Sequence, residues 1–154
     1  MRVHPSNPSN DPDDAGSAAL EFILVGLLLL VPIVYLIVSL GLIQGQSLGV
    51  EAGARHIARA VSQAPDAASA RDRADRVLST VVEEYGIDPA TVDFALTCRP
   101  AGATCPEAGA TIVVTLRAQV ALPLVPPVLG LEQLARIPIQ ASAAQKTSRF
   151  WGSE

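Results

Sequence analysis

Few residues in this chain are of types that carry chemistry, and fewer still are spaced to do it. Cys98 and Cys105 are its only cysteines and stand as C-x6-C. Two thiols cannot close a four-coordinate zinc site, and C-x-x-C is the redox spacing. The pair therefore reads as a disulfide in an oxidising compartment, with two free thiols as the alternative. His4 and His56 are far apart and neither has a nucleophile at a recognised spacing. Glu83 and Glu84 are neighbours, and on a helix adjacent side chains diverge. P-loop, Rossmann glycine and His-Glu-x-x-His patterns are absent. The expectation is a chain that is not an enzyme and binds no metal and no cofactor.

One further carboxylate is out of place. Glu21 sits in Asp14-Ala-Gly-Ser-Ala-Ala-Leu-Glu-Phe22, at the lip of an uncharged run from Phe22 to Ile43. As a helix those 22 residues rise about 33 Å, against a bilayer core of about 30 Å. The run is too long for a cleavable secretory signal and lacks a clear A-x-A after it. It reads as one transmembrane helix, with Pro32 tolerated as membrane helices tolerate it. A negative charge in the first turns of such a helix is favoured by the helix dipole, which is the plainer account of Glu21.

The totals agree with one anchored domain. The chain has 154 residues, a net charge of −4 and 49% apolar residues of which few are aromatic. Its 11 basic residues form no stripe, so no nucleic-acid partner is expected. Residues 1–16 are polar and rich in Pro, Asn, Ser and Asp, a composition that predicts a disordered leader. The charge signals on orientation conflict. Arg55 and Arg59 after the span favour a cytoplasmic domain. The cysteine pair favours an extracytoplasmic one and is given more weight.

Past the span, Val50, Ala54, Ile57 and Val61 recur as one helical stripe. Gly45, Gly49 and Gly53 make two small-x3-small steps that permit close helix approach, or a chance spacing. Ala64-Pro65-Asp66 ends this helix, and Asp66 can cap a second one over 67–85. Ala70, Ala74, Val77, Leu78, Val81, Val82 and Tyr85 share its apolar face. Asp72–Arg76 and Arg71–Asp75 are possible i,i+4 pairs on a solvated face. From Thr91 the period becomes two. Strands are expected over 91–98, 111–122 and 135–143, the last an edge strand because of Pro138. The cysteines would staple the connection between the first two. Phe150 and Trp151 read equally as an anchor on a membrane interface or a partner, or as part of a tail.

The block Gly16-Ser-Ala-Ala-Leu-Glu-Phe-Ile-Leu-Val25, with Leu27–Leu30 after it, resembles the start of TadE-like pseudopilins. These are minor components of the tight-adherence (Flp) pilus system, a branch of the type IV pilus and type II secretion superfamily. Gln46–Ala60 resembles the family's Ala/Arg-rich continuation, and Ile137–Ala143 its last strand. The specific matches lie in the first 45 residues, and the basic residues that often precede the family's glycine are absent here.

The resemblance implies cleavage by a prepilin-type peptidase between Gly16 and Ser17, leaving Glu21 as the fifth residue ahead of Phe22. It implies other pilin or pseudopilin subunits as partners within the membrane, and a cell-membrane location with the C-terminal domain extracytoplasmic. The expected architecture is α+β: a long N-terminal helix, a second helix and a three-stranded antiparallel sheet. Its divisions are leader 1–16, transmembrane helix 17–45, domain 46–143 and tail 144–154. The rival reading is an unprocessed single-pass anchor that displays a small extracytoplasmic binding module.

Overall fold

The computed structural model describes the backbone of residues 12–101, 105–125 and 128–152, and side chains from Ala18 onward. The protein is α+β. Helix α1 spans Pro12–Ser62 and α2 spans Ala67–Glu84. A 3-10 turn at Pro89–Thr91 leads into β1, Asp93–Arg99. Strand β2 is Thr111–Ala121, a single-turn helix α3 is Leu131–Leu134, and β3 is Arg136–Lys146. The sheet is an antiparallel meander in the order β1-β2-β3. The chain divides into two compact units, 1–38 and 39–154.

Helix α1 begins before the expected leader boundary. Its first residue is Pro12, so residues 12–16 are helical backbone. The rest of the expected leader, 1–11, lies outside the described residues. Pro32 lies within α1 without ending it.

The core of the 39–154 unit is a helix stripe laid on one face of a sheet. Val50, Ala54, Ile57 and Val61 are all buried, as their spacing predicts. They meet Ile112, Val114, Leu116 and Ala118, alternate residues of β2, which is covered by neighbours on both edges; Val120, next in the alternation, is buried too. Ala70, Ala74 and Val81 of α2 complete the cluster, with Val77, Leu78 and Tyr85 packed against it. As the sequence predicts, β3 pairs on one side only, and its Pro138 stands opposite Gln119.

Two of the three spaced glycines owe their place to this packing. A Cβ at Gly49 would overlap Tyr85 Cγ and lie 2.7 Å from its Cδ1. At Gly53 it would lie 3.0 Å from Val81 Cγ1 and 3.2 Å from Leu116 Cδ2. Gly45 meets nothing within 4 Å. The 49 and 53 steps thus serve approach of α2 to α1 inside the domain. Gln46 strengthens the same seam, donating from Nε2 to Gly86 O at 3.0 Å.

Helix α2 starts as expected and ends at Glu84, one residue short. Asp66 caps it, accepting from Ser69 N at 2.8 Å and from Ser69 Oγ at 2.9 Å. These hydrogen bonds, the one from the Ser69 backbone first, hold the Asp66 carboxyl below the ordinary aspartate value. The cap's contribution is therefore complete above the ordinary value and lost as pH falls through the lowered one. An Asp66→Asn variant is expected to lose part of the acid limb of the stability profile, read from urea midpoints against pH. An unchanged acid limb would remove the charge from the account.

Two expectations in this region are corrected. Neither Asp72–Arg76 nor Arg71–Asp75 closes. Among the described residues the ion pairs are Glu51–Arg55 at 3.0 Å and Asp93–Arg117 at 3.3 Å. Arg73 instead donates to Gln63 O at 3.0 Å. An exposed pair is worth at most about 1 kcal/mol, so little that some such pairs close and others stay open to solvent. The second correction concerns the end of the chain. Residues 144–146 belong to β3, and Thr147 is buried, its hydroxyl donating to Ala110 O at 2.8 Å and to Glu107 O at 2.6 Å. Trp151 packs against the core, so the tail docks there, while the Phe150 side chain is exposed.

Candidate functional site

The feature most exposed to a partner is the first half of α1. From Ala18 the helix has a most apolar window of mean hydropathy 2.9, of which 6% is buried. It is long and apolar enough to cross a membrane. Leu20, Phe22, Leu24, Leu28 and Ile37 are exposed all around it rather than along one stripe. A water-facing helix of a folded domain keeps a polar side, and this one has none. Glu21 is its exposed acidic residue, seated in helical backbone beside Phe22. Gly16 and Ser17 are helical backbone too. Ser17 and Glu21 are four residues apart, one turn on the same side of a helix and about 6 Å along its axis.

The Cys98–Cys105 disulfide is formed, with Cα atoms 5.7 Å apart. It staples the connection between the first two strands, as the sequence predicts. Cys98 lies in β1, opposite Ile112, while Cys105 lies in the connection six residues before β2 begins. The bridge therefore folds the connection back onto β1 and does not tie strand to strand. Closing so short a loop stabilises by about 2–3 kcal/mol at most. Replacing both cysteines by serine is expected to lower the unfolding free energy by no more than that and to leave the sheet intact. Loss of the folded baseline in denaturant titration would show that the bridge holds up more than its own loop.

The remaining polar groups are spread out. His56, Arg59, Arg76 and Glu84 line an open groove of about 500 Å³ between the end of α1 and α2, with Val77, Thr80 and Val81 as its apolar floor. No hydrogen bond or ion pair links those four side chains. The outer face of the sheet carries a polar ladder: Thr115 with Ser142 at 3.0 Å, and Arg117 Nε donating to Gln140 Oε1 at 2.9 Å. Among the described residues no three of His, Cys, Asp and Glu come together as a metal site would require. Pro123, Pro126, Pro127 and Gly130 mark a loop after β2 in the sequence. In the fold this segment exposes Leu124, Leu129 and Leu134, and the signal for it was a stretch of chain almost free of charge.

No family model, no curated protein and no solved structure matches this chain.

Proposed function

We propose that the protein is a minor pseudopilin-like subunit of a tight-adherence (Flp, type IV-like) pilus or a related secretion apparatus. The observation that carries this reading is the Gly16-x4-Glu21 spacing at the head of an apolar helix that runs on without a break into a sheet-packed domain. In this reading the apolar half of α1 spans the cell membrane once and packs beside the helices of other pilin subunits. The disulfide-bonded domain stands outside the cytoplasm, where the Cys98–Cys105 bridge persists. A prepilin-type peptidase cuts after Gly16. The new amine at Ser17, mostly charged near neutral pH, pairs with Glu21 of its own or a neighbouring chain. The chain supplies contacts, no catalysis and no cofactor chemistry, and nucleic acid is not among its partners.

Mass spectrometry of the membrane-extracted protein tests the cut. A mature chain beginning at Ser17 is expected. Gly16→Leu should abolish processing, since the residue before the bond must fit a site built for no side chain. That variant is expected to keep its first 16 residues and to migrate more slowly than wild type. Equal migration of the two, with an intact N-terminus in both, would remove the pseudopilin reading. It would leave the second, an uncleaved anchor displaying a binding module. One observation favours that second reading: the Gly16–Ser17 bond lies in helical backbone, which must unwind before a peptidase can reach it.

A further inference from the structure

We infer that the β2–β3 connection is a second membrane contact, a leucine loop seated in the lipid interface beside the point where α1 enters. The inference rests on α1 spanning the bilayer and adds a surface that this span does not require. Between Leu122 and Ala135 the only charged residue is Glu132, and its Oε2 is buried. The outward side is leucine: Leu124 is 89% exposed, Leu129 97% and Leu134 84%. Leu124 and Leu129 also have φ of 64° and 55°, a left-handed backbone that residues with a Cβ rarely adopt. The fold thus presents leucine most fully at two positions that local preference disfavours. Three leucines this exposed on one connection almost free of charge mark a contact surface rather than a solvated loop.

The position of the loop selects lipid as its occupant. A Cβ at Gly53 would touch Leu116, so the middle of β2 is level with Gly53 of α1. At the start of β2, Gly109 N donates to Ser148 O at 3.0 Å. Ser148 and Trp151 share a cleft with Ser62–Pro65 at the far end of α1. Strand β2 therefore begins beside the Ser62 end of α1 and runs back toward its Ser39 end. From Leu116 to Leu122 an extended chain covers up to about 20 Å. The same length along α1 is about 13 residues and leads from Gly53 to Leu40. A tilt between strand and helix shortens this by a few ångströms, which still leaves the loop beside Leu40–Ile43. Those residues close the uncharged run, and Leu40 and Leu42 are themselves exposed. Loop and helix together form one apolar end of the domain. Leucines at the level where a span leaves the bilayer meet acyl chains and headgroups, as interfacial segments do.

The test uses the full chain in phosphatidylcholine–phosphatidylglycerol vesicles, with Cys98 and Cys105 kept paired. Leu129→Cys, Leu30→Cys and Glu83→Cys each receive an environment-sensitive fluorophore, and lipids carrying a nitroxide on the upper acyl chain act as quencher. Leu134→Cys repeats the loop measurement. The expected result is quenching at Leu129 and Leu134 at least twice that at Glu83, with Leu30 quenched as well. Leu30 quenched with both loop labels equal to Glu83 overturns the loop contact and leaves the span. An unquenched Leu30 overturns the span itself. Loop labels that shift to the blue only at high protein-to-lipid ratio, without lipid quenching, overturn the lipid occupant in favour of a second copy of this chain.

Discussion

Gly49→Ala and Gly45→Ala are expected to shift the stability of the domain in opposite directions. Both replace glycine by alanine inside the same helix, four residues apart, so local propensity favours each by about 1 kcal/mol. At Gly45 nothing lies within 4 Å of the new Cβ, and that gain is expected to appear in full. At Gly49 the new atom overlaps the root of the Tyr85 ring, where Cβ itself would be 2.8 Å away. The crowded atoms are the fixed base of the side chain, so rotation of Tyr85 cannot clear them. Helix α2 must move from α1, and overpacking of this kind costs about 1–3 kcal/mol. The expected net effect is a loss despite the better helix former, and Gly49→Leu should lose more. Urea unfolding in detergent, followed by tryptophan fluorescence, compares the variants. A Gly49→Ala protein as stable as Gly45→Ala would mean that α2 does not pack where the structure places it.

This pair also marks where sequence reading stops. The stripe Val50–Ala54–Ile57–Val61 and the inner face of β2 were legible because period alone assigns a side to each residue. Gly45, Gly49 and Gly53 look alike in that reading, since what distinguishes them is Tyr85 and Val81, which come from another helix. Thr147 was hidden for the same reason: its partners Glu107 and Ala110 lie about forty residues earlier, and a single hydroxyl leaves no periodic trace. The expected tail was therefore drawn several residues too early. The cysteine pair was legible as a staple of the β1–β2 connection, because the period of two already placed a strand from Thr111 and left Cys105 ahead of it. At the candidate site the balance is reversed. Gly16, Ser17, Glu21 and Phe22 carry their meaning in type and spacing. The fold adds that Ser17 and Glu21 both belong to the helical backbone of α1, about one turn apart.

Glu21→Ala is expected to leave the protein in the membrane and to abolish its part in assembly. The two effects separate because the carboxylate acts oppositely on them. For insertion it is a burden, about 2.5–3.5 kcal/mol at the centre of a bilayer and less near the lip, so its removal favours the membrane. In the proposed packing among neighbouring helices it is the partner of the amine that cleavage would leave at Ser17, removed from water by those helices. Taking away one member of a buried pair leaves the other uncompensated and costs about 3–5 kcal/mol. A penalty of that size lowers the association constant roughly 100-fold or more at each subunit contact. Glu21→Gln keeps the shape and a hydrogen-bonding oxygen but not the charge, and should also fail. Glu21→Asp keeps the charge on a shorter arm and should recover part of the function. The measurement is twofold: the share of each variant sedimenting with membranes, and the yield of sheared surface filaments from cells expressing it. Wild-type filament yield from Glu21→Ala would sink the pairing role even if cleavage at Gly16 were intact. Loss from the membrane fraction would instead show that the carboxylate serves insertion, the reverse of the sign derived from its desolvation.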